Sequence, residues 1–159
     1  MREIHRSPYF ILSVDDTRRI LHRARTALGF PTLADAQVAY DDMTRAMDGV
    51  DRAAHGLFVD LRLAPPRNDA GFEQLVGRYY PRLYDGFPAI AVVVKTQAGR
   101  LQIARVAQTF GYDMRTFMTE AEAYAYLAGA PGPELPSRAT PLPESRSASQ
   151  RPPPGRKNF

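Results

Sequence analysis

The 159-residue sequence predicts an α/β domain: a mixed β-sheet with covering helices in the element order ββαβαβαβα, plus a disordered C-terminal tail. Three observations predict it. Short apolar, β-rich runs alternate with segments of helical spacing once an opening pair of strands has passed. Each helical segment is preceded by a residue able to cap it: Thr32, Asn68 or Asp69, Thr96 and Thr119. Composition changes abruptly at Ala130, beyond which Pro, Ser and Arg dominate.

The elements follow in order. Tyr9–Val14 is a β-rich run and Asp15-Asp16 a turn signal, so Ile20–Leu28 reads as the second arm of a hairpin, ended by Gly29 and Pro31. Thr32, with Asp35 three residues on, opens a helix carrying Ala36, Val38, Ala39, Met43 and Met47, which Gly49 closes. Gly56–Leu61 suits a buried strand. After Ala64-Pro65-Pro66, a helix carries Phe72, Leu75, Val76, Tyr79 and Leu83, and Pro81 inside it bends or shortens it.

Ala89–Val94 is continuously apolar and reads as the central strand. Thr96 opens the next helix (Leu101, Ile103, Ala104, Val106, Ala107), and Gly111 stops it. Met114–Met118 is a last short strand, and Thr119 with Glu122 forms a capping box for a closing helix with Ala123, Tyr126 and Leu127.

Residues 1–130 therefore read as one domain and 131–159 as a disordered Pro/Ser/Arg-rich tail, either solubilising or able to dock a second partner. The formal charge of +4 divides unevenly: residues 1–129 carry 16 basic against 15 acidic side chains, residues 130–159 five against two. A near-neutral body lacks the basic face that phosphate neutralisation needs, so nucleic acid is not the expected partner. Cysteine is absent, which excludes disulfides and thiolate metal sites. No apolar run reaches the ~20 residues that span a membrane, and the polar start Met1–Arg6 does not read as a signal peptide, so the cytoplasm is the expected location.

The succession Gly56-Leu57-Phe58-Val59-Asp60-Leu61-Arg62, loop, Asn68-Asp69-Ala70-Gly71-Phe72, then strand 89–94, the helix from Thr96, and Arg115–Ala123 resembles the STAS (anti-sigma-factor antagonist) family and related STAS/SEC14-like proteins over roughly residues 8–128. The resemblance implies a protein–protein interaction or regulatory module. In phosphorylated members a serine at the start of the helix matching 70–77 is the switch; here Ala70 stands at that position and has no hydroxyl to modify. That departure weakens an anti-sigma kinase as the partner.

The residues offer little reactive chemistry. His5, His22 and His55 show no ligand or triad spacing. Asp41, Asp42, Asp48 and Asp51 lack the glycine and closing glutamate of a calcium loop and read as a solvated face. Neither glycine-rich phosphate fingerprint occurs, and nothing selects Asp69 or Asp85 as an acid–base partner for Asp60. No catalytic residue, metal or cofactor is expected.

One constellation stands out. Parallel strands ending near Asp60 and Val94 bring Arg62, Arg67, Asp69, Ala70, Gly71, Lys95, Thr96 and Arg100 to one sheet edge, where helix N-termini point. They would frame a surface for an acidic or phosphorylated protein partner. Pairing of Arg62 with Asp60 or Asp69 is the competing structural role. The second reading is a SEC14-like small-ligand or lipid binder whose cleft Phe72, Tyr79, Tyr80, Tyr84 and Phe87 would line; the third is an enzyme with converging polar groups.

Overall fold

A computed structural model describes residues 1–129; the tail expected over 131–159 lies outside the described residues. Six strands form one mixed sheet in sequential order: β1 (Arg2–Arg6), β2 (Phe10–Asp15), β3 (Ile20–Arg25), β4 (Gly56–Asp60), β5 (Ile90–Val93) and β6 (Met114–Phe117). The first three form an antiparallel meander, and β3 to β6 pair in parallel.

The helices are α1 (Leu33–Met47), α2 (Ala70–Gly77), α3 (Tyr80–Tyr84), α4 (Gln97–Phe110) and α5 (Glu120–Leu127), with one turn of tighter helix at Arg52–Ala54. The alternation of strand and helix from residue 20 onward is as the sequence predicts. Three elements differ.

Arg2–Arg6 is a strand, so the order opens with three strands rather than two. Its sequence, Arg-Glu-Ile-His-Arg, is polar because it sits on the sheet edge, where charged side chains hinder pairing with another chain. The single helix expected over 69–83 is two. Pro81 lies at the start of α3, a position where its missing N–H costs nothing, and the chain turns at Arg78-Tyr79 instead of bending. The second strand ends at Arg25 and not Leu28 because Arg25 closes the turn, donating to the carbonyls of Tyr9 (2.7 Å) and Leu28 (3.1 Å).

A sheet that grows in one direction through crossovers of one hand places every crossing helix on the same face. Accordingly α1, α2, α3 and α4 share one face with Phe10, Leu12, Val14, Leu21, Leu57, Val59, Ile90 and Val92. After β6 no strand follows, and α5 folds onto the opposite face against Ile20, Phe58, Ala91, Val93 and Phe117. There Tyr124 stacks on Phe58 (centroids 4.8 Å apart) and lies against His22 (5.7 Å). Continuous burial of β5 on both faces explains its unbroken apolar sequence.

Removing buried side chains tests this packing. Leu57→Ala, at a fully buried position of β4, is expected to cost about 2–5 kcal/mol in chemical denaturation. Loss of the α1 cap in Thr32→Ala costs about 1 kcal/mol. His22 gives the fold a pH dependence. Burial holds its imidazole below the usual histidine value, against the opposing charges of Asp15 and Glu120 and reinforced by Arg18. The unfolded chain therefore binds the proton more readily. Stability should be full above about pH 6.5 and fall as pH drops from there. Denaturation midpoints of His22→Phe measured across pH 5–8 should lose much of that slope.

Candidate functional site

Parallel pairing of β3 to β6 sends the starts of α1, α2, α4 and α5 to one edge of the sheet, as the sequence implies for the helices after β4 and β5. Each start carries a side-chain cap. Thr32 accepts from the Asp35 amide (3.1 Å), Asp69 from Phe72 (3.0 Å), Thr96 from Gly99 (3.1 Å) and Thr119 from Glu122 (3.4 Å). At each, one N–H that an anion would use already has an acceptor.

The arginines of the constellation are paired as well. Arg62 donates to Asp60 from its backbone (3.0 Å) and side chain (2.6 Å), and also to Glu120, tying the end of β4 to the start of α5. Partial burial alone would raise the Asp60 carboxyl, but the hydrogen bonds from Arg62 outweigh it and hold the group below its ordinary value. The same contacts push the Arg62 guanidinium up, Asp60 contributing most.

Arg67 donates to Asp69 (2.6 Å), lies over the Phe72 ring (4.7 Å to its centroid) and holds the Asp69 carboxyl low. Lys95 and Arg100 remain: both are exposed, and neither is in an ion pair among the described residues. The edge therefore keeps two uncommitted positive charges, while Arg62 and Arg67 serve structure.

Ala70 and Gly71 occupy the exposed first turn of α2 and form part of an open depression of about 830 Å3, with Gln74, Gly77, Leu33 and Phe110 around it. Leu33 is 41% and Phe110 51% exposed, so two large apolar side chains face water at its rim. On its floor a Cβ at Gly71 would meet Leu33 Cδ1 at 3.2 Å, so a larger residue there displaces the exposed Leu33 side chain. Leu33 and Phe110 were not singled out by the sequence, since one apolar residue at a helix end looks like any other until its neighbours are known. Glu73 and Arg78, one acidic and one basic, also line it.

The aromatic residues that a lipid cleft would need are engaged in packing. Tyr79 stacks on Tyr40 (5.2 Å) and donates to Asp41 (2.6 Å), burial and that bond pushing its hydroxyl up to about 12. Tyr80 packs edge-on against Phe110 (4.7 Å), Phe72 against Phe30 (5.9 Å), and Phe87 lies under Arg52 (5.2 Å). Tyr84 takes a hydrogen bond from Arg23 (3.0 Å).

Arg23 itself is only 5% exposed, in the middle of β3, and is absent from the residues that the sequence singled out. The available signal was alternation: Leu21, Arg23 and Arg25 share the face of β3 that packs against α1 and α3, opposite to Ile20, His22 and Ala24.

Arg62→Ala tests the structural role at the edge. Burial of Asp60 and its bond from the residue-62 backbone amide would persist without the guanidinium, so its carboxyl should rise relative to the wild-type protein, read by NMR titration. Amide exchange in α5 should accelerate, with little change elsewhere because the pair is partly exposed. No family model, curated protein or solved structure matches this chain.

Proposed function

We propose that this domain is a non-catalytic, STAS-like protein–protein interaction or regulatory module whose contact surface is the first turn of α2 and the depression beside it. The observation that carries the reading is the exposure of Leu33 and Phe110 around the small residues Ala70, Gly71 and Gly77. Apolar side chains facing water around a concave floor are what a docking partner buries, and their burial supplies most of the free energy of association. The same helix start is where the STAS resemblance places its partner-facing serine.

Chemistry favours an acidic partner. Lys95 and Arg100 are exposed along the edge that carries the α2 start, and their charges steer encounter and orient a negatively charged surface. Beside the depression, Asp69 is committed to Arg67 and to the Phe72 amide. Association thus rests on apolar contact with electrostatic orientation. Ala70 leaves the surface without a phosphorylation switch at that position.

The packing of Tyr79, Tyr80 and Tyr84 argues against a lipid cleft among them. Among the described residues no helix is long and apolar enough to cross a membrane.

Affinity capture from native extract tests the surface, using the full chain and two exposed-site variants. Ala70→Arg fills the floor and Phe110→Glu places a charge at the rim; each should reduce recovery of the wild-type partner at least about tenfold, the equivalent of roughly 1.4 kcal/mol. Arg45→Ala, on the exposed side of α1, should not. Full retention of the partner by both Ala70→Arg and Phe110→Glu rejects this surface. Lys95→Ala with Arg100→Ala should slow association and reduce its salt dependence.

A further inference from the structure

We propose that Arg23 anchors a buried oxyanion site, in which a carboxylate or phosphate group of a small ligand takes the guanidinium nitrogen that the chain leaves without a partner.

The argument starts from charge. Arginine does not deprotonate in a protein, so Arg23 carries its positive charge at 5% exposure. One terminal nitrogen, Nη2, donates to the Tyr84 hydroxyl at 3.0 Å, and the guanidinium carbon lies 5.0 Å from the Tyr84 ring centroid. The other, Nη1, is buried and has no acceptor among the described residues. Nor is any carboxylate there within ion-pair distance: Asp41 is occupied by Tyr79, Asp85 by Tyr112 and Asp60 by Arg62.

The surrounding phenols do not supply the missing charge. Burial pushes Tyr40 and Tyr80 up to about 12 against the pull of Arg23, so both are neutral at physiological pH. A water molecule would complete the hydrogen bonds of Nη1 without balancing the charge. A buried ion lacking a counter-ion is strongly destabilising, and the aromatic ring offsets only part of that. An oxyanion answers both needs, with oxygens that match the planar donor edge of arginine.

The place is distinct from the α2 surface. Arg23 stands opposite Leu12 on β2 and Val59 on β4, in the middle of the sheet face beneath α1 and α3. A second orphaned nitrogen, Nε2 of His5, belongs to the same row, since His5 lies opposite Leu12 on the outer side. His22 Nε2 and Arg115 Nε are unpaired as well, but of these four residues Arg23 is the one that is both buried and permanently charged. This site does not depend on the docking surface, and either can fail alone.

Thermal unfolding of the full chain with inorganic phosphate or with acetate, each compared with chloride at matched ionic strength, tests the proposal. At about 20 mM, one or both should raise the midpoint of the wild-type protein by about 3 °C or more. Phosphate acting alone identifies a phosphate ligand, and acetate alone a carboxylate ligand. Arg23→Met should abolish the shift while unfolding no earlier than wild type without anion, because it removes an unbalanced charge. Arg23→Lys, which keeps the charge but not the planar edge, should retain a smaller shift and serves if the methionine variant does not fold. An equal shift in Arg23→Met, or in Arg23→Lys where that variant stands in, would mark general salt stabilisation. That result, or no shift in wild type, overturns the proposal.

Discussion

Backbone amides at a helix start need acceptors, and parallel pairing of β3 to β6 puts four such starts on one edge of the sheet. The way this chain meets that need governs the rest of the molecule. Thr32, Asp69, Thr96 and Thr119 each turn a side-chain oxygen onto an amide of their own first turn. Arg62 and Arg67 settle onto acids two residues away. Open α/β sheets commonly hold small ligands at this edge. Here the edge is largely self-satisfied, and what it offers outward is apolar surface around the α2 start with two exposed cations beside it.

That distinction explains why the same residues read differently in sequence and in space. Arginine two residues from aspartate, as in Asp60-Leu61-Arg62 and Arg67-Asn68-Asp69, fits both an anion-binding loop and a local ion pair. Local geometry decides between them: both pairs lie between the end of β4 and the start of α2, where the side chains come to 2.6 Å. Lys95 and Arg100 have no acid at comparable separation and stay free. The sequence thus located the edge but left open which charges it would spend internally.

Legibility followed the strength of the physical signal. β4 and β5 were plain because burial on both faces demands unbroken apolar runs, and the helix starts because a cap has few chemical alternatives. β1 was hidden because an edge strand carries no apolar pattern, only the charges that protect it. The division between α2 and α3 was half visible: Pro81 announced an interruption, but whether a proline bends a helix or begins a new one depends on where the preceding turn packs. Leu33 and Phe110 became interpretable only once α1, α2 and α4 had been brought together.

Arg23 illustrates a different limit. Its position in β3 was readable, and so was the alternation that points it inward, yet inward-facing arginine normally implies an acid across the sheet. Its cross-strand neighbours are Leu12 and Val59, and the phenols around it are neutral. A sheet face this apolar gains nothing in stability from an unbalanced guanidinium; a methionine of similar length would pack there without the desolvation cost. Stability therefore does not account for arginine at this position. A residue that the fold tolerates at a cost is more economically explained by what it holds than by what it packs against. The docking surface proposed at α2 and the anion site proposed at the guanidinium under α3 are thus separate readings of one helix-covered side of the sheet, the first where helices meet water and the second where they exclude it.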